Sequence, residues 1–108
     1  MLQKGDVVEA DGEYLEVREI GKRQLKVFHL GMGSMTILPP SSTFRIIGNV
    51  RDAISALIAY TEGGIAGILD PETFATREVR MPGWVKAMAG SQVRVLLDRP
   101  ADRIVVVG

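Results

Sequence analysis

The stretch NVRDAISALIAYTEGG, Asn49 to Gly64, fits two structures, and the choice between them decides the fold. As a helix it would start at Asn49, a good N-cap, with Asp52 three residues on. Val50, Ala53, Ile54, Leu57 and Ile58 would then form the apolar stripe and Gly63 the end. As a strand it puts Ile54, Ala56, Ile58 and Tyr60 on one face and turns at Gly63-Gly64 into IAGIL. Periodicity alone does not separate the two. The downstream sequence favours the strand. IAGIL is followed by a turn at Asp70-Pro71, then ATREVRM, a break at Pro82-Gly83, SQVRVLL, a turn at Asp98 to Asp102, and RIVVV. WVKAMAG is expected to form one helical turn among these strands.

Upstream, strand signals are equally dense. GDVVEADGEYLEVREI reads as two strands around an Asp11-Gly12 turn, the strongest short hairpin signal. QLKVFHL alternates, Gly31 to Ser34 interrupts, MTIL resumes and Pro39-Pro40 stops it; TFRIIG is a fifth short strand. Five short strands in so few residues predict a small SH3-like barrel, which closes its edges. A second small all-β unit follows, joined near Gly48-Asn49.

The chain has 108 residues, 46% of them apolar and 24% charged, enough to bury a core. It has no cysteine and one histidine, so thiol chemistry and thiolate metal sites are excluded and a zinc site is not expected. No segment has the apolar length of a membrane span, and MLQKGDVVE does not resemble a signal peptide. A cytoplasmic protein is expected. The net charge of zero hides an asymmetry. Met1 to Gly21 carries six acids and two bases; Lys22 to Arg51 carries five bases and no acid; Asp52 to Gly108 has seven acids and six bases. A local positive field attracts polyanions even in a neutral chain.

No catalytic set emerges. His29 lies mid-strand without a nucleophile or a second ligand, and is expected to pack or hydrogen-bond. Gly31-Met32-Gly33-Ser34 lacks the following helix that a phosphate loop needs, so it reads as a hairpin turn. Asp6, Glu9, Asp11 and Glu13 do not match a calcium loop and read as a solvated edge. Asp70-Pro71-Glu72-Thr73 has turn chemistry. Trp84 is expected to close the bottom of a barrel, with stacking on a nucleobase as the alternative. Neither an enzyme nor a cofactor is expected. Lys22, Arg23 and Lys26, with Arg45 and Arg51, remain as a basic edge. Small β-barrels with basic hairpin tips commonly bind nucleic acid through phosphates, and a solvated basic face is the alternative. Aromatic platforms are scarce, so structured RNA fits better than single strands.

The order of KGDVVEADGEYLEVREI, a short basic turn, QLKVFHL, and then GILDPETFATREVRMPG resembles the C-terminal region of archaeal relatives of the large-ribosomal-subunit export adaptor, the Nmd-three family. The resemblance covers nearly the whole chain. That region is itself similar to the hypusine-bearing translation factor of the factor-five-A type. The resemblance implies an all-β fold of two small β-barrels in tandem, SH3-like over 1–48 and OB-like over 49–108. It also implies assembly of the large ribosomal subunit, near the tRNA exit site, with ribosomal RNA and large-subunit proteins as partners and no small-molecule substrate. The family's Cys-x-x-Cys zinc modules and its acidic export tail have no counterpart in these residues, so a piece of a longer protein or a stand-alone relative is expected. Gly21-Lys22-Arg23-Gln24 is too short for the long loop that carries hypusine, and no hypusine is expected. The alternative reading is a protein-interaction module whose groove or open strand edge captures a peptide.

Overall fold

The computed structural model describes residues 1–108 and is all-β, with no α-helix and one 3-10 turn. The chain divides into two compact units, Met1–Asp52 and Ala53–Gly108. Asn49, assigned above to the second barrel, therefore belongs to the first unit. No helix is long and apolar enough to cross a membrane.

In the first unit, β1 (Asp6–Ala10), β2 (Glu13–Ile20), β3 (Leu25–His29), β4 (Ser34–Leu38) and β5 (Arg45–Asn49) make one antiparallel sheet. Its order is β4-β3-β2-β1-β5. Asp11 and Gly12 join β1 to β2 with φ of 53° and 82°, the positive values that let a two-residue hairpin follow the twist of its strands. Alternate residues turn inward, so Val8, Leu15, Val17, Leu25 and Val27 form the core, covered by Leu2, Leu38 and Phe44. Gly5 sits at the entry to β1 with φ +89°, and an added Cβ would lie 3.0 Å from the Asn49 Oδ1. Its amide donates to the Val17 carbonyl at 2.7 Å and its carbonyl accepts from the Val50 amide at 2.9 Å. Gly5→Ala is expected to cost about 1–3 kcal/mol in urea unfolding; an unchanged midpoint would contradict this.

The second unit contains β6 (Ile54–Glu62), β7 (Ile65–Leu69), β8 (Thr76–Arg80), β9 (Gln92–Asp98) and β10 (Arg103–Val106). Its antiparallel sheet has the order β10-β9-β6-β7-β8. The long β6 serves two partners. Ile54 to Leu57 pair with β9, Ile58 to Glu62 pair with β7, and the register shifts between Ile58 and Tyr60. This bend curls the sheet around Ala56, Ile58, Ala66, Ile68, Val93, Val95, Ile104 and Val106.

Asn49 to Gly64 is thus strand for most of its length. Ala56 and Ile58 are buried, whereas Leu57, which a helical stripe would have buried, is 41% exposed; Ile54 and Tyr60, at the two ends of the expected strand face, are exposed as well. β-Branched Ile54, Ile58 and Thr61 suit a pleated strand paired on both sides. The cap signal is nevertheless real. Asn49 Oδ1 accepts from the Arg51 amide at 3.0 Å and caps the 3-10 turn Val50–Asp52. Its Nδ2 donates to Asp6 Oδ1 at 3.0 Å and to the Lys4 carbonyl at 3.1 Å. WVKAMAG forms no helical turn. Two tight turns shape it, with Val85 N donating to Pro82 O and Ser91 N to Met88 O. They carry Met81, Val85 and Ala87 onto the core, while Trp84 stays 37% exposed.

Candidate nucleic-acid interface

The β2–β3 hairpin positions the basic tip. Ile20 pairs with Leu25, and the Gly21 amide donates to the Gln24 carbonyl at 2.9 Å. Lys22 and Arg23 therefore occupy the two central positions of a tight turn. Both are exposed, and neither forms a hydrogen bond or ion pair.

The other predicted bases lie in different surroundings. Lys26 faces Glu19 across the β2–β3 ladder, with Nζ 3.5 Å from the carboxylate. Arg45 faces Glu9 across β1–β5, 3.4 Å away. Arg51 Nε lies 3.9 Å from the Asp52 carboxylate, and its terminal nitrogens reach the Gln3 side-chain oxygen at 3.5 Å. The acidic first stretch and the basic second stretch are neighbouring strands of one sheet, so two of the five bases, Lys26 and Arg45, are met by acids across the ladders. Arg18, in the acidic stretch, does the same locally: its Nε donates to Glu16 at 2.8 Å while its guanidinium stacks on Phe28, 4.4 Å from the ring centroid.

Strand direction then sorts what is left. β1 runs away from the tip, so the Asp11-Gly12 turn is at the opposite end of β2 from Gly21. Asp11 and Glu13 lie at that far end, as does Arg45, opposite Glu9. Lys4 precedes Gly5, which bonds to Val17, and so joins Lys22 and Arg23 at the near end; its ammonium is exposed and unpaired. Lys4 was hidden within an acidic stretch. The register of the Asp11-Gly12 hairpin, which places Val7 opposite Glu16, carries it toward Glu19 and was the signal that could have found it. One end of the barrel is therefore cationic, with Lys4, Lys22, Arg23 and the loosely paired Arg51, and the other is anionic.

The remaining polar groups are structural. His29 Nδ1 accepts from the Met32 amide at 3.0 Å and pins the Leu30-to-Gly33 turn. That leaves the proton on Nε2, which lies 3.1 Å from a Glu13 carboxylate oxygen but off the axis of a hydrogen bond. Gly31 to Ser34 leads into β4, not into a helix. No group of three or more His, Asp or Glu side chains converges on a point.

The densest ion network lies in the second unit. Asp70, 1% exposed, accepts from the Glu72 and Thr73 amides at 2.9 and 3.3 Å. It also accepts from Arg99 at 3.2 and 3.3 Å, and Arg77 lies 3.8 Å away. Arg99 reaches Glu72 at 2.7 Å, and Arg77 reaches Asp102 at 2.9 Å. The Arg99 hydrogen bonds, and then the two amides, hold the Asp70 carboxyl down to about 2 against the opposing effect of burial. Both oxygens are occupied, so this carboxylate is a clamp between the β7–β8 and β9–β10 turns and not a base. Turn chemistry anticipated its backbone bonds; Arg99 comes from distant sequence.

Tyr60 lies over Gly67, where an added Cβ would meet the ring at 2.5 Å from Cζ, and its hydroxyl donates to Glu78 at 2.7 Å. That hydrogen bond raises the phenol above its ordinary value. No family model matches the chain and no curated protein matches it.

Proposed function

We propose that the chain is a non-enzymatic RNA-binding module that grips phosphates with the cationic end of its first barrel. The observation that carries this reading is the pair Lys22 and Arg23, exposed on a tight tip with no carboxylate partner, while Lys26 and Arg45 are paired. Lys4 adds a third free charge. Arg51 can join, because an exposed pair at 3.9 Å holds it weakly. A short, rigid tip suits phosphate contact and shape recognition of folded RNA. The resemblance to the Nmd-three family supplies the setting: a large-subunit assembly factor in the cytoplasm, near the tRNA exit site, contacting ribosomal RNA and proteins.

Salt dependence tests the reading. Three neutralised phosphates predict a slope of log affinity on log salt of roughly −2 to −3. Binding to purified archaeal large subunits, and to a short structured RNA, should therefore weaken about 20- to 40-fold between 50 and 200 mM salt. A flat salt response would reject it.

A further inference from the structure

The two sheets have four edges, β4 and β5 in the first and β8 and β10 in the second. Proteins protect such edges with charge, proline, bulges or brevity. β5 begins with Arg45, β8 carries Arg77, Glu78 and Arg80, and β10 is short and begins with Arg103. β4 carries neither a charge nor a bulge, and only Pro39-Pro40 beyond its end limits it. Ser34–Leu38 is uncharged, and so is every residue from Leu30 to Phe44. Four of its five residues are exposed, with Met35 at 51% and Ile37 at 59%. Met35 faces the same side as Phe28, and Ile37 the same side as Lys26.

We propose that β4 pairs with β4 of a second copy of this chain, antiparallel about Thr36. That register matches itself. Met35 falls opposite Ile37 of the second copy and Ile37 opposite its Met35, while Thr36 meets Thr36. The cross-strand row then runs Glu16, Phe28, Met35, and on the second copy Ile37, Lys26, Glu19, with no like charges opposed. Pro39-Pro40 ends the strand, so the ladder stays short, and the two-fold arrangement closes without leaving a further copy of this edge to pair. A foreign strand would need charge or a pocket to be selected, and β4 offers neither. An RNA would need cations, which β4 also lacks. The inference does not depend on the RNA-binding reading, which can be measured on monomeric variants.

Sedimentation of the full chain from about 1 to 500 µM tests it; a small edge contact predicts a dissociation constant of about 10–100 µM. The wild type is expected to pass from monomer to dimer mass. Met35→Lys alone and Ile37→Glu alone should remain monomeric at concentrations at least about tenfold higher. Mixing these two variants should restore a heterodimer, because the new lysine and glutamate fall opposite each other in one row while the other row keeps its apolar pair. Amide exchange in β4 of the wild type, slower at high concentration than at low, reads the same contact without substitution. A wild type monomeric throughout, as a peptide-capturing edge would be, overturns the proposal. So does a dimer that neither variant weakens, or a mixture that fails to associate.

Discussion

Asp70→Ala is expected to destabilise the second unit by roughly 2–3 kcal/mol, with a cause that pH can isolate. The substitution strips the Glu72 and Thr73 amides of their acceptor and leaves Arg99 and Arg77 without their shared counter-charge. Both arginines reach solvent and can rehydrate, which keeps the loss below that of a fully buried pair. Asp70→Asn retains an oxygen for the amides and removes the charge. A lowering from 3.8 to about 2 is worth at most roughly 2.5 kcal/mol, and screening around the arginines reduces this to roughly 1 kcal/mol for the Asn variant. Because the folded value is depressed, the charge contributes fully above about 3.8 and is lost as pH falls through about 2. Urea unfolding should therefore separate wild type from Asp70→Asn at pH 7 and bring them together near pH 2. A gap of equal size at both pH values would show that the charge is not what stabilises the clamp.

This clamp also marks the boundary of what the sequence carries. Asp70-Pro71-Glu72-Thr73 displays its local role openly, since an Asp before Pro hydrogen-bonds the amides that follow. Nothing near it names Arg99, 29 residues away, because that contact depends on how β8, β9 and β10 bring two turns together. The same division runs through Asn49 to Gly64. The alternation that buries Ala56 and Ile58 was legible, and so was the Asn49 cap. That the cap would serve only a 3-10 turn was not, because its other bonds go to Lys4 and Asp6 at the start of the chain. Charge was the least legible property. A run of five bases suggested one positive edge, but antiparallel strands set residues of opposite runs side by side. Glu19 meets Lys26 and Glu9 meets Arg45. Hairpin register could have shown that Lys4 lies at the same end as Lys22 and Arg23; that all three go without a carboxylate partner depends on where their side chains settle.

That sorting makes the RNA-binding reading sharp at individual residues. Lys22→Ala/Arg23→Ala removes two free cations from a solvated turn without touching the core. Each lost phosphate contact should flatten the salt slope by about 0.7–0.9, and curves governed by counterion release converge near 1 M salt. The double variant should then bind large subunits or structured RNA about 25- to 60-fold more weakly at 0.1 M salt, with little difference near 1 M. Arg45→Ala should change affinity less than about twofold, since Arg45 lies at the far end and its charge is already met by Glu9. Glu19→Gln should act in the opposite direction. It releases Lys26 from its ion pair and removes a negative charge near the tip, raising affinity about two- to fivefold and steepening the slope. A gain cannot come from misfolding, which makes it the stricter half of the test. If Arg45→Ala weakened binding as much as the double variant, the contact would lie along the barrel and not at its tip; if Glu19→Gln weakened it, phosphate would not be what the tip meets.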